Sequence, residues 1–294
     1  MSSLPSLEEL QASLRDIQGS SVAKRTHAAF LLRTEGSEQA VSIIADALQI
    51  REDSELMRHE LAYIIGQMQH TSVCPVLEAI LSDESDDLIV RHECAEALGA
   101  LGNQPSMDLL LKFCTHPAPE IYETCKIAVE LLEWKQRNEG GPTGDYLSVD
   151  PAPPVTTESS IEELQEKLMD GSSSMFNRYR AMFALRNRNT DASAMALGAG
   201  FADESALFRH EVAYVLGQMQ RRCSADVLVS VLRNVCEHAM VRHEAAEALG
   251  AIGGQAAEKV LTEFAEDEQQ VVRESCQVAL NIIDYWAPVE HAAT

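Results

Sequence analysis

Four of the nine histidines are each followed directly by a glutamate, giving the pairs His59-Glu60, His92-Glu93, His210-Glu211 and His243-Glu244. Imidazole nitrogen and carboxylate oxygen are donors that divalent transition metals accept, and two imidazoles with one carboxylate leave open positions on the ion. That facial set suits non-haem ferrous iron and dioxygen, whereas structural zinc wants four closed ligands. The patterns of other metal enzymes are absent: no H-E-x-x-H places two His on one helical face, and no His has Glu three residues before it. There is also no P-loop, G-x-G-x-x-G or G-x-S-x-G.

A repeat scaffold could retain such residues for packing alone, and the flanking repeats test this. VRESCQVAL at 272–280 has Arg273 and Glu274 where the inner repeats have His and Glu, and IYETCKIAV at 121–129 has Tyr122 and Glu123. The first repeats carry Thr26 and Tyr179 in place of His. Glutamate is therefore partly a property of the repeat. Histidine at this position occurs only in the two central repeats of each half, which points to ligation.

The elements that must position these residues are helical hairpins. RHELAYIIGQMQ at 58–69 recurs as RHEVAYVLGQMQ at 209–220, and VRHECAEALGALG at 90–102 recurs as VRHEAAEALGAIG at 241–253, both 151 residues on. Within each half His recurs after 33 residues, the length of a helical hairpin, with apolar residues such as Leu61, Ile64, Ile65 and Met68 at helical spacing. Capping boxes open the halves at Ser6 with Glu9 and at Ser160 with Glu163, and Gly66, Gly99, Gly217 and Gly250 fall near the expected helix ends. The expected fold is all-α, a HEAT-like α-α superhelix of eight hairpins in two homologous four-hairpin halves. The halves are residues 1–134 and 158–294, with a Gly- and Pro-rich linker at 135–157 long enough for them to face one another.

On one helix, side chains i and i+1 diverge by about 100°. Equivalent helices of consecutive repeats lie about 8–10 Å apart, so imidazoles from neighbouring hairpins can converge. Each half then offers one triad of two His and one Glu, and spacing alone leaves open which Glu completes it.

The remaining composition narrows the partners. Lys plus Arg is 23 against 46 Asp plus Glu, a formal charge of -23, so nucleic acid is not an expected partner and a cationic one is favoured. Seven cysteines, odd in number and without a C-x-x-C pair, read as reduced thiols of a cytoplasmic protein. Neither a signal peptide nor a membrane-spanning run is indicated.

With 33, 118 and 33 residues between successive His of the four pairs, the sequence closely resembles the deoxyhypusine hydroxylase family over nearly its whole length. The resemblance implies a HEAT-like di-iron monooxygenase that converts deoxyhypusine to hypusine on translation initiation factor five A, with two Fe(2+) per chain and O2 as co-substrate. It implies His59, His92, Glu93, His210, His243 and Glu244 as metal ligands, and Glu60 and Glu211 as the acids that bind the substrate amine. A monomer acting on a protein substrate is expected. The alternatives from sequence are a non-enzymatic HEAT-like scaffold and a phycobilin-lyase-like protein, which share the helical repeat but do not require four inner histidines.

Overall fold

A computed structural model describes residues 5–137, 146–155 and 158–291, with side chains as far as Asp284. It divides into two compact units, Met1–Gly140 and Gly141–Thr294. Among the described residues there are sixteen α-helices and no strand. The first unit holds α1 (Leu7–Arg15), α2 (Val22–Glu35), α3 (Glu38–Leu48), α4 (Glu55–Met68), α5 (Cys74–Ser82), α6 (Leu88–Leu101), α7 (Met107–Phe113) and α8 (Pro119–Arg137). The second holds α9 (Ile161–Met169), α10 (Met175–Arg188), α11 (Asp191–Gly198), α12 (Ala206–Met219), α13 (Ala225–Arg233), α14 (Ala239–Ile252), α15 (Gln255–Phe264) and α16 (Gln270–His291). Paired in chain order these are the eight expected hairpins. Among the described residues no helix is long and apolar enough to cross a membrane.

The even-numbered helices pack on one another, α2 on α4, α4 on α6 and α6 on α8, and likewise from α10 to α16. The odd-numbered helices cover them from outside. Inner helices are consequently buried on most of their circumference: every residue from Ile89 to Leu101 of α6 except Glu96 is buried. Serines fix several helix starts, since Ser54 and Ser205 accept from the backbone N–H of Met57 and Phe208. Ser6 with Glu9 and Ser160 with Glu163 form the two expected capping boxes.

The arginine before each His-Glu pair ties neighbouring hairpins together. Arg58 Nε donates to Leu48 O at 2.9 Å while its guanidinium holds Asp86 at 2.5 and 2.7 Å, both side chains being buried. Arg242 repeats this with Leu232 O and Asp267, and Arg25 and Arg178 do so in the first hairpin of each unit with Asp53 and Asp203. Arg91 takes Leu81 O and Glu84, and Arg209 takes Glu237. In each R-H-E run the arginine is thus turned to the scaffold, and His and Glu are left for another purpose.

Gly66, Gly99, Gly217 and Gly250 do fall near the helix ends as expected, but the helices are ended by other residues, in the left-handed region by Gln69, Gly102 and Gln220, and at positive φ by Gly253. They lie inside the last turn because the next inner helix passes there: a Cβ on Gly217 would sit 2.9 Å from Ala248 Cα, and one on Gly250 2.6 Å from Ala279 Cβ. Gly217→Ala should therefore push α14 away from α12 and destabilise the protein by roughly 1–2 kcal/mol, read by denaturant unfolding. An unchanged midpoint would mean that the two helices separate without strain.

The expected linker at 135–157 is also shorter at both ends. Lys135–Arg137 still belong to α8, and buried Lys135 Nζ donates to the carbonyls of Gly99 and Ala100 at 3.3 and 2.9 Å. Residues 146–155 are packed on the second unit: Asp150 takes buried Arg186 in a bidentate pair at 2.7 and 2.6 Å, Ala152 is fully buried, and Val155 N donates to Arg180 O. A strap held by two arginines, Arg186 on Asp150 and Arg180 on the Pro153 carbonyl, and by scattered small residues has no apolar period to read. The rest of the expected linker, 138–145 and 156–157, lies outside the described residues.

Candidate metal centre

The four His-Glu pairs occupy one register. α4, α6, α12 and α14 are each 14 residues long, and in each the His is the fifth residue and the Glu the sixth. Because α4 lies against α6 and α12 against α14, the pairs are brought side by side within each unit. All eight side chains belong to buried residues, none more than 7% exposed.

In the first unit the rings of His59 and His92 are 5.5 Å apart between centroids. His59 Nε2 is 3.2 Å from Glu93 Oε2, and its Nδ1 is 3.3 Å from Glu60 Oε1. One donor atom each from His59, His92 and Glu93 falls within 4.8 Å of the others, close enough to share an ion. In the second unit the His210 and His243 rings are 5.3 Å apart and His210 Nε2 is 3.3 Å from Glu244 Oε2. The duplication is thus one of side-chain arrangement as well as of sequence.

Electrostatics explains what such a cluster asks for. Of the four buried carboxylates, Glu60, Glu93 and Glu244 stand beside imidazoles, while the adjacent arginines are held by other acids. Burying a carboxylate is costly without a cation, and imidazole supplies one only when protonated. For His59, burial opposes the charged form, but Glu93 first and then Glu60 outweigh it and hold the ring well above the usual histidine range. A divalent ion bound by the same atoms would meet the same need. The donor set of nitrogen, nitrogen and oxygen fits a non-haem transition metal, so the residues present suit the ion that the sequence led one to expect.

The histidine-free repeats show what the site position does otherwise. Thr26 is buried with its hydroxyl toward Met57 Sδ, and buried Tyr179 donates to Leu207 O at 3.3 Å, so both serve the core. The cysteines are all free. Cys74, Cys94, Cys125 and Cys276 are buried, and burial raises Cys74 to about 11 and Cys276 to about 12, which leaves them inert thiols.

Two residues at the site carry no signal in the sequence. Ser275 on α16 and Glu247 on α14 both lie beside His243 Nδ1, at 3.5 and 3.6 Å. Ser275 follows His243 by 32 residues in a repeat that has no His-Glu pair, so motif spacing does not reveal it.

Stacked helical hairpins presenting buried, duplicated His-Glu clusters define a HEAT-repeat protein whose interior offers donor groups that could hold a metal ion. A profile described as HEAT repeats matches residues 47–124 and 194–281. Deoxyhypusine hydroxylase of Danio rerio is 47% identical over 266 residues, which cover 89% of this chain and 86% of that protein. The Homo sapiens protein of the same name is 47% identical over 262 residues, with the same coverage of each. The structure of human deoxyhypusine hydroxylase in complex with glycerol superimposes with a TM-score of 0.91 at 44% identity, covering 95% of this chain and 96% of that one. The chain belongs to the deoxyhypusine hydroxylase family.

Proposed function

We propose that this protein hydroxylates the deoxyhypusine side chain of translation initiation factor five A to hypusine, as a monooxygenase that uses two iron ions per chain and O2. The observation that carries the reading is the duplicated cluster of buried His and Glu on a chain 47% identical to proteins named for that reaction. His59, His92 and Glu93 hold one ion, and His210, His243 and Glu244 hold the other. When bound, the ferrous pair supplies the electrons and the oxygen activation that no side chain can provide.

The chain's own residues bind, orient and exclude water. Glu60 and Glu211 follow the first His of each unit and belong to α4 and α12, where they can accept hydrogen bonds from the protonated amines of the aminobutyl group. Holding the amine fixes which carbon of the chain is presented, since positioning alone is worth several kcal/mol in such reactions. The overall charge of -23 draws a cationic substrate toward the protein. The stoichiometry is one C–H converted to C–OH, with the second oxygen atom leaving as water after uptake of two electrons and two protons from a reductant. With 18O2 and a chemical reductant, one labelled oxygen should enter each hypusine. Label arriving from water instead would remove the monooxygenase assignment.

Proton linkage gives a second check. Since Glu93 and Glu60 keep His59 protonated in the metal-free protein, an ion must displace that proton. Apparent metal affinity should rise with pH until the raised His59 value is passed and then level off. Titration calorimetry at neutral pH in buffers of different ionisation enthalpy should show proton release on binding, and heats independent of buffer would contradict it.

A further inference from the structure

The second unit contains a device for holding one imidazole that the ligand set does not include. On α14, Glu247 lies one turn beyond His243 on the same helical face, with Oε1 3.6 Å from His243 Nδ1. From α16, buried Ser275 places Oγ 3.5 Å from the same nitrogen and donates to Glu247 Oε1 at 2.9 Å. The hydroxyl proton is thereby committed to the carboxylate, so the Oγ lone pairs face Nδ1. An ordered chain results, running from Nδ1–H to Oγ and from Oγ–H to Oε1. A ring held in this way carries its hydrogen on Nδ1 and offers Nε2 to an ion.

We propose that Glu247 and Ser275 are positioning residues that fix the tautomer and orientation of His243 as an Nε2 ligand, and that they act on the metal position of the second unit alone. The restriction to one unit comes from the corresponding serine position. There, 151 residues earlier, stands Thr124, whose hydroxyl donates to the Glu120 carbonyl one turn back on α8 at 2.7 Å. That proton stays on its own helix, as threonine and serine commonly do in helices. The serine-mediated link is therefore a feature of the second unit, and the two metal positions are unequal by construction. The inference rests on the assignment of His243 as a ligand.

Cobalt(II) titration of the metal-free full chain separates the two assignments, because its visible bands and binding curve report each position without turnover. Unsubstituted protein should take two equivalents. His243→Ala should lose or gravely weaken one of them, and if it keeps both tight equivalents the ligand assignment itself fails. Given that loss, Glu247→Gln and Ser275→Ala should each weaken one equivalent by about 10–100-fold, alter its bands and leave the other unchanged. Ser275→Thr, which keeps a hydroxyl of nearly the same size, should fall between Ser275→Ala and the unsubstituted protein. Unchanged affinity and bands for both equivalents in Glu247→Gln and Ser275→Ala would overturn the positioning role, as would equal weakening of both equivalents.

Discussion

Replacing His92 with alanine is expected to abolish turnover and to remove the metal ion held by the first unit. His92 is fully buried on α6, 5.5 Å from His59 between ring centroids, and its donor atoms fall with those of His59 and Glu93 inside 4.8 Å. Loss of a partner that merely orients a ligand costs about 10–100-fold in metal affinity or activity, so loss of a ligand should exceed that range. His59→Ala, His210→Ala and His243→Ala should behave alike, each leaving close to one iron per chain and a hydroxylation rate lower by more than about 100-fold. The fold should survive, because the scaffold contacts beside the ligands are made by Arg58, Arg91, Arg209 and Arg242. Iron analysis alongside circular dichroism checks both points. Full iron occupancy in all four variants would remove the ligand assignment.

The second expected result divides the carboxylates. Glu60→Ala and Glu211→Ala should keep two irons but lose substrate binding, while Glu93→Ala and Glu244→Ala should lose iron. In the first unit the geometry supports the division: Glu93 belongs to the group of donor atoms within 4.8 Å, whereas Glu60 meets His59 on its other ring nitrogen. A charge-assisted contact of this kind contributes about 1.5–3 kcal/mol, which corresponds to roughly 10–150-fold in kcat/KM, and more where the group is buried. Glu60 and Glu211 are 7% and 2% exposed, so the upper part of that range is expected. Equal iron loss from Glu60→Ala and Glu93→Ala would show that the four acids share one role.

Much of this was legible because the repeat carries its own control. Arg, His and Glu recur at 33 residues in the central hairpins, and the first hairpins, with Thr26 and Tyr179 at the His position, separate ligation from scaffolding; in the last hairpins the helix crossings put Glu123 and Glu274 at that position, one residue beyond Tyr122 and Arg273. The eight hairpins followed from apolar period and capping serines. What escaped has physical reasons. Gly66 and its three counterparts resemble caps in sequence, but a close crossing of helices and a helix end both favour glycine at similar places, and only the 2.6–3.1 Å approaches distinguish them. The strap at 146–155 is held by Asp150 on Arg186, a pairing across 36 residues that leaves no local pattern. Ser275 and Glu247 were invisible for a related cause, since neither matches a metal motif and their meeting depends on α14 and α16 packing together.

The assignment of function is tested most directly by following hypusine formation as iron is restored to the metal-free protein. Purified chain would be supplied with deoxyhypusine-bearing factor, O2 and a reductant, and product measured at each iron-to-protein ratio. The account predicts no hypusine without iron, little up to one equivalent if the ions bind unequally, and full activity at two per chain, with none beyond background in His92→Ala at any ratio. Hypusine formed at an undiminished rate by the metal-free protein, or its absence from protein carrying two irons, would contradict it.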